Sequence, residues 1–465
     1  MKFSLTFSGG VRTVTGSMHL ITINGSKILL DAGLFQGKRA EFYEKNSSFP
    51  VDPSTLDAVI ISHAHIDHCG NFPTLVTKGF SGPAYCTPTT KQLCRFMLPD
   101  SGYIQEEDIK YLNKILKRKG HPQRKPLYTQ RQAKQALGSL RGLEYHKKIP
   151  LVPKTTLTFF DSGHILGSSI PVLDIADPKH TIRVAYAVDL GRPDMPFLGN
   201  PEIPSHIDYL VIESTYGARN RPDRSQLVKD LAHVINKTAA RRGKVIIPAF
   251  ALERSQEIIY YLCLLIKTGA IQPLPIFIDG PLTSHVTDVF RDNWDLINQE
   301  TKKLFRSYKD LFNNNYITFI RNVNESKKLH HKQGPMIIVS ASGMCENGRI
   351  LHHLKNNIES LNNTIIIVGY MAENTLGRRI AEQQPTVNIF GNPHKLRAEV
   401  VIFEEFSSHA DKRFLQNYIR QCLGNLKKVF IVHGEPQQSR ELKKSLASLP
   451  VDLILPEEGQ SFILS

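Results

Sequence analysis

The sequence predicts an α/β protein of two domains, the second inserted into the first. Three observations carry this prediction. Short alternating apolar segments separated by glycine turns open the chain, as in an antiparallel meander. From residue 209 strands alternate with helical segments, the pattern of a mostly parallel sheet. Histidines and aspartates stand just past apolar runs both early in the chain and near its end, which points to one site at a sheet edge.

Composition narrows the function classes. The chain has 465 residues, 41% hydrophobic and 22% charged, enough for two or three domains with proper cores. No apolar run approaches membrane-spanning length, and the first residues alternate like a strand instead of building a signal peptide, so a cytoplasmic protein without membrane association is expected. The six cysteines have no paired spacing and read as reduced and structural. Lys and Arg total 58 against 43 Asp and Glu, a net charge of +15, which suggests a polyanionic partner such as nucleic acid. The basic clusters are short, and each alone reads as a solvated face.

The first elements are strands at 2–8, 18–23 and 27–31. Asp31 closes the third, where an acid can orient metal ligands or cap a helix. The apolar run Ala58-Val59-Ile60-Ile61 reads as a buried strand and ends at Ser62-His63-Ala64-His65-Ile66-Asp67-His68. His63 and His65 are two apart, which suits a tight loop aiming both at one point while Asp67 and His68 face another. Imidazole and carboxylate are ligands for zinc and its first-row neighbours. Residues 89–140 read as a helix-rich insertion covering one side of the site, with no chemistry assigned to them. A strand at 156–160 then leads to His164, and one at 181–188 to Asp189; both look like further ligands at equivalent strand ends.

From Asp208 the pattern changes, and a second domain is expected to open near 209. Its strands fall at 244–248, 275–279, 336–340 and 364–368, with a helix at 253–268 after the first. Glycines follow two of them, in Ser340-Ala341-Ser342-Gly343-Met344 and Gly369-Tyr370, where backbone amides can approach phosphates. There is no GxGxxG fingerprint and no P-loop, so no nucleotide cofactor is expected. Beyond 396 come a strand at 399–403, the stretch Phe406-Ser407-Ser408-His409-Ala410-Asp411, a strand at 428–432 and His433-Gly434-Glu435. The other twelve histidines, from His19 to His394, lack partner spacing and are assigned no catalytic role.

Taken together, His63-Ala64-His65-Ile66-Asp67-His68 with Asp31, His164 and Asp189 resembles the metallo-β-lactamase superfamily. Glu213-Ser214-Thr215-Tyr216-Gly217, the stretch through His409-Ala410-Asp411 and Val432-His433-Gly434-Glu435 are similar to its β-CASP nuclease branch. Residues 246–254, ending at Glu253-Arg254, resemble the members that include the endonuclease of pre-mRNA 3′-end cleavage and its prokaryotic relatives. Val188 and Ser408 stand where the family commonly has Gly and Ala. The resemblance implies a four-layer αβ/βα domain from residues 1–208 and 396–465, with an α/β β-CASP domain at 209–395 between them.

The same resemblance implies the site. One zinc would be held by His63, His65 and His164, the other by Asp67, His68 and His433, with Asp189 bridging and Asp31 supporting the ligands. Two zinc ions per chain suit in-line displacement at phosphorus. His409 would be the general acid, Glu213 its carboxylate partner, and the products would carry 5′-phosphate and 3′-hydroxyl. Arg254, Ser342 and Gly343 would touch phosphates. The expected activity is hydrolysis of single-stranded RNA, endonucleolytic in mode; a DNA nuclease and a non-catalytic RNA-processing scaffold are the alternatives. A homodimer is compatible with the sequence.

Overall fold

The structure, a computed structural model, describes residues 3–37, 39–177, 180–222, 224, 226–369, 371–372 and 374–465. Lys2 and Tyr370, which belong to a strand and a turn expected above, lie outside the described residues. The chain forms two compact units, Met1–Asn220 with Ser408–Ser465, and Arg221–Ser407.

The first unit contains two seven-stranded sheets. One runs in the order Ser461–Leu464, Phe3–Ser8, Met18–Ile23, Ser26–Leu30, Ala58–Ile60, Ala84–Cys86 and Leu140–Gly142. The other runs Asp452–Ile454, Lys428–Ile431, Tyr209–Ile212, Thr181–Ala187, Ser169–Ala176, Thr155–Asp161 and Ile149–Val152. Alternate residues explain the layering. Phe3, Leu5 and Phe7 from the first sheet join Leu157, Phe159, Leu173, Val184, Tyr186 and Phe430 from the second in a single apolar core. The opposite face of the second sheet, including Val172, Ala185, Leu210 and Ile431, packs on Leu415, Tyr418 and Ile419 of the helix Lys412–Gln421 and Leu442 of Pro436–Ser445. The helices Phe72–Thr77, Pro88–Arg118 and Gln130–Ala136 accompany the first sheet, which completes the four-layer αβ/βα arrangement.

The second unit is built on a six-stranded sheet in which every neighbouring pair is parallel: Ile317–Ile320, Ile276–Asp279, Met336–Ser340, Lys244–Pro248, Thr364–Val368 and Glu399–Phe403. Strand after strand is buried on both faces, as parallel strands covered by helices must be.

The unit boundaries differ from 208/209 and 395/396. Tyr209–Ile212 pairs with Thr181–Ala187 on one side and Lys428–Ile431 on the other, so it is a central strand of the first unit. Both of its faces are buried, and its continuous apolar run therefore has the same look as the α/β strands that follow. Glu399–Phe403 extends the parallel sheet beside Thr364–Val368 and belongs to the second unit. The closing strand Ser461–Leu464, which sequence reading missed, pairs antiparallel with Phe3–Ser8.

One backbone clamp fixes the loop that carries Asp67 and His68. Ser17 N donates to Asp67 O at 2.9 Å, Ala32 N to His68 O at 2.9 Å, and Leu34 N to Ile66 O at 2.9 Å. Gly33 sits inside this clamp, where an added Cβ would lie 1.7 Å from Asp67 O. We expect Gly33→Ala to destabilise the protein by about 1–3 kcal/mol or more, the usual size of an overpacking penalty, and to lower its metal content. Thermal unfolding with elemental analysis checks this; an unchanged Tm would contradict so tight a clamp.

Candidate metal centre

Most candidate side chains of the first unit stand just beyond a strand. Asp31 follows Ser26–Leu30, Ser62 and His63 follow Ala58–Ile60, Asp189 follows Thr181–Ala187, Glu213 follows Tyr209–Ile212, and His433 follows Lys428–Ile431. His164 lies in the loop after Thr155–Asp161. Asp67 and His68 are not on an irregular loop as expected but on a helical turn, Ile66–Cys69, which His65 precedes as the N-cap. Asp31, Asp189 and His433 adopt φ of 59°, 53° and 46°. Positive φ is uncommon for such residues, and three cases at one site mark backbone held out of its preferred regions to aim side chains inward.

Two donor sets result. In the first, His63 Nε2 and His65 Nδ1 are 3.1 Å apart, and His164 Nε2 is 3.2 Å from His65 Nδ1. Asp189 Oδ2 lies 3.3 Å from His63 Nε2 and 3.4 Å from His164 Nε2. Four donors around zinc at its usual bond lengths would be separated by about 3.3 Å along each tetrahedral edge, so this set fits a metal. In the second, His68 Nε2 is 3.1 Å from His433 Nε2 and 3.3 Å from Asp189 Oδ2. Asp67 Oδ2 completes it at 3.8 Å from His68 and 3.7 Å from His433. A single oxygen, Asp189 Oδ2, thus belongs to both sets.

The protonation states of the first set suit ligation directly; in the second, burial disfavours charge on His68, yet Asp189, Asp31 and Asp67 raise it well above its ordinary value, so a metal there would displace its proton. Burial pushes His65 down to about 3, lowers His63, and takes His164 well below its ordinary value, leaving neutral rings with a lone pair to offer. Burial opposes charge on Asp189 and Asp67, but the surrounding histidines outweigh it, and both carboxylates lie well below the usual range.

Asp31 organises the second set without joining it. It is fully buried, accepts from Ser62 N at 2.7 Å and Ser62 Oγ at 2.9 Å, and meets His68 Nδ1 at 2.7 Å. Tyr186 OH donates to it at 3.0 Å, and Ser17 Oγ is 2.9 Å from that hydroxyl. This carboxylate–imidazole contact turns His68 Nε2 toward the donor set. Sequence reasoning found Asp31 but missed Tyr186 and Ser17; a lone tyrosine in the apolar strand Thr181–Ala187 was the available signal.

His409 stands beside the first set, its ring 4.5 Å from that of His164. Its Nδ1 is 3.1 Å from Oε2 of the fully buried Glu213, whose Oε1 accepts from Leu190 N at 2.6 Å. A β-bridge between Gly191 and His409, with Ala410 N donating to Leu190 O at 2.9 Å, sets the His409 backbone against the Asp189 loop. Burial disfavours charge on His409, yet the carboxylates of Glu213 and Asp189 raise it to about 9. Asp189, Glu213 and His409 also offer atoms within 4.8 Å of one another, so proximity alone does not separate acid from ligand. The His409 side chain is 20% exposed, and Glu213 is engaged with Leu190 N.

Arg254, Ser342 and Gly343 lie in the second unit with local partners. Arg254 pairs with the buried Glu257 and lies 5.9 Å over the Phe406 ring. Ser342 Oγ accepts from Glu346 N at 3.2 Å, and Gly343 packs against the Phe250 ring.

The support role of Asp31 is open to test. Asp31→Asn keeps the shape but removes the charge, and we expect metal affinity to fall by about 10–100-fold in a chelator competition. Undiminished affinity would show that His68 is oriented by something else.

Residues 11–181 match the metallo-beta-lactamase superfamily, residues 255–380 the Beta-Casp domain, and residues 393–456 the Zn-dependent metallo-hydrolase RNA specificity domain. Ribonuclease TTHA0252 of Thermus thermophilus is 33% identical over 453 residues, covering 97% of this chain and 98% of its own. Transcription termination factor FttA of Methanothermobacter thermautotrophicus is 30% identical, over 95% of this chain and 68% of its own. A protein of unknown function from Enterococcus faecalis shares the fold, with a TM-score of 0.56 at 14% identity and full coverage of both chains. The chain belongs to the metallo-β-lactamase superfamily, in its β-CASP branch.

Proposed function

We propose that this protein is a two-zinc ribonuclease that cuts single-stranded RNA internally and leaves 5′-phosphate and 3′-hydroxyl ends. The observation that carries the reading is Asp189 Oδ2 shared between two donor sets, with the His409–Glu213 pair beside them. Similarity to a protein named a ribonuclease and the match to an RNA specificity domain favour RNA over DNA.

Held by these residues, a zinc pair supplies a water of lowered pKa and positive charge opposite the phosphoryl oxygens. The chain's own groups do the rest. Asp189 keeps the two sets in contact, while Asp31 and Ser62 orient His68 and His63. Glu213 holds His409 Nδ1, so the opposite nitrogen of the protonated ring is available to the leaving 3′-oxygen. Because water is the nucleophile and the 3′-oxygen is the leaving atom, the phosphate stays on the downstream fragment as its 5′-phosphate, and the upstream fragment ends in a 3′-hydroxyl. RNA and DNA oligonucleotides labelled at either end, incubated with and without chelator, test the reading. Chelator-sensitive internal cuts in RNA with 5′-phosphate ends are expected, whereas cleavage of DNA alone would overturn it.

Two outcomes isolate His409. Replacing it by Ala should lower the rate on RNA by about 10²–10⁴-fold while both metals and RNA binding persist. A substrate with sulfur as the 3′ leaving atom needs little protonation and should recover most of that loss. Zinc loss in the same variant, with no recovery, would make His409 a ligand. The pH profile gives the second outcome. Since His409 is raised to about 9 from an ordinary 6.5, its acid form persists through neutral pH and is lost as pH climbs through about 9. Glu213→Gln removes the raising carboxylate, so the alkaline limb of kcat should shift to lower pH. An unmoved limb would mean that it reports another group.

A further inference from the structure

The net charge of this chain is concentrated in one place. Residues 109–143 contain ten Lys and Arg and no Asp or Glu, so they carry ten of the fifteen net charges. The rest of the chain is nearly balanced. Taken pair by pair, these cations look like an ordinary solvated face; as an acid-free stretch of this length they do not.

The stretch begins on the distal half of the long helix Pro88–Arg118. The near end of that helix is tied to the candidate metal centre: Thr87 Oγ1 and Thr90 Oγ1 both donate to Gly167 O, at 2.6 and 2.8 Å, three residues from His164. At 1.5 Å per residue the helix is about 45 Å long, so its far turns stand well away from the donor sets. Tyr103, Lys110 and Lys114 recur at i, i+7 and i+11 and share one face, with Tyr111 and Arg118 beside them. Tyr103 and Tyr111 are 51% and 62% exposed. Lys110 is paired with Glu107 at 2.5 Å, whereas Lys114, Lys117, Arg118 and Lys119 are exposed and followed by no acid until Glu144. The next loop is held against the helix, because Asn113 Nδ2 donates to Arg124 O and Arg124 N to Asn113 Oδ1, each at 2.9 Å. Arg124 and Lys125 therefore extend the same basic surface.

We propose that the distal half of this helix and the loop after it form an exosite for single-stranded RNA, which holds the substrate far from the cut phosphate. The proposal rests on the ribonuclease reading. Cations spaced along a helix follow a phosphate backbone, and the exposed tyrosine rings offer stacking faces to unpaired bases. No aliphatic side chain is among the large exposed hydrophobics of this helix, which argues against insertion into a membrane. A strand reaching from the donor sets to the far turns would need about 13 nucleotides at the 3.4 Å spacing of stacked bases, so the exosite acts on long substrates only.

The test uses the full chain with Lys114→Gln, Lys117→Gln, Arg118→Gln and Lys119→Gln combined, all exposed positions. It is compared with wild type on a long single-stranded RNA and on a short oligonucleotide spanning only the cleavage site. KM for the long RNA should rise roughly tenfold or more, with the slope of log affinity against log salt flattening by about 3. Its kcat, and both constants for the short oligonucleotide, should stay unchanged. Arginine at positions 114, 117 and 119, with Arg118 kept, should restore KM. Equal effects on both lengths, or none on either, would overturn the exosite. So would an unchanged long-RNA KM accompanied by lost binding to anionic vesicles or to an acidic polypeptide, which would assign the patch to that partner. If wild type cuts neither RNA, the ribonuclease reading fails, and RNA binding measured by fluorescence anisotropy still decides the exosite.

Discussion

Four carboxylates, Asp31, Asp67, Asp189 and Glu213, lie among the buried or nearly buried histidines of the first unit, and the structure around them is arranged to make that arrangement tolerable. An unpaired buried charge is expensive, and it persists only with hydrogen bonds or opposite charge around it. Asp31 is satisfied by Ser62, His68 and Tyr186. Asp189 and Asp67 have imidazoles on several sides: burial holds His63, His65 and His164 neutral, whereas His68 beside both carboxylates and His409 beside Asp189 are raised. The shared oxygen of Asp189 faces both donor sets, and bound metal is what that donor geometry accommodates. The positive φ values of Asp31, Asp189 and His433 follow from the same requirement, since each strand must turn sharply to aim its last polar residue inward.

Much of this was legible in the sequence because ligand chemistry is local. His63, His65, Asp67 and His68 fall within six residues after an apolar run, Asp189 and His433 each end one, and His164 and His409 lie in the loops that follow one. Long-range pairing was less legible. Tyr209–Ile212 is apolar throughout because both faces are covered, so periodicity could not tell a central strand of the first unit from the opening strand of the second. Glu399–Phe403 was read as a strand, but its neighbour Thr364–Val368 is set by tertiary packing. The role of Asp31 depends on Tyr186 and Ser17, residues far apart in sequence whose hydroxyls converge only in the fold.

The charge pattern makes the opposite point. Short clusters such as Lys117-Arg118-Lys119 are unremarkable singly, and reading them singly hid the acid-free run that contains them. The structure adds that the run starts on a helix whose first turn is hydrogen-bonded to the His164 loop. The proposed chemistry and the proposed electrostatic attraction are thereby placed at opposite ends of one helix. Such a division lets affinity for a long polyanion be set without altering the geometry around Asp189.

The proposed zinc pair requires Asp189 Oδ2 to join two metal positions in one site. Anomalous diffraction from crystals at the zinc absorption edge tests it most directly. Two peaks about 3.5–4 Å apart are expected, one among His63, His65 and His164 and the other among Asp67, His68 and His433, with Asp189 between them. A single peak, or a peak coordinated by His409 and Glu213, would contradict it.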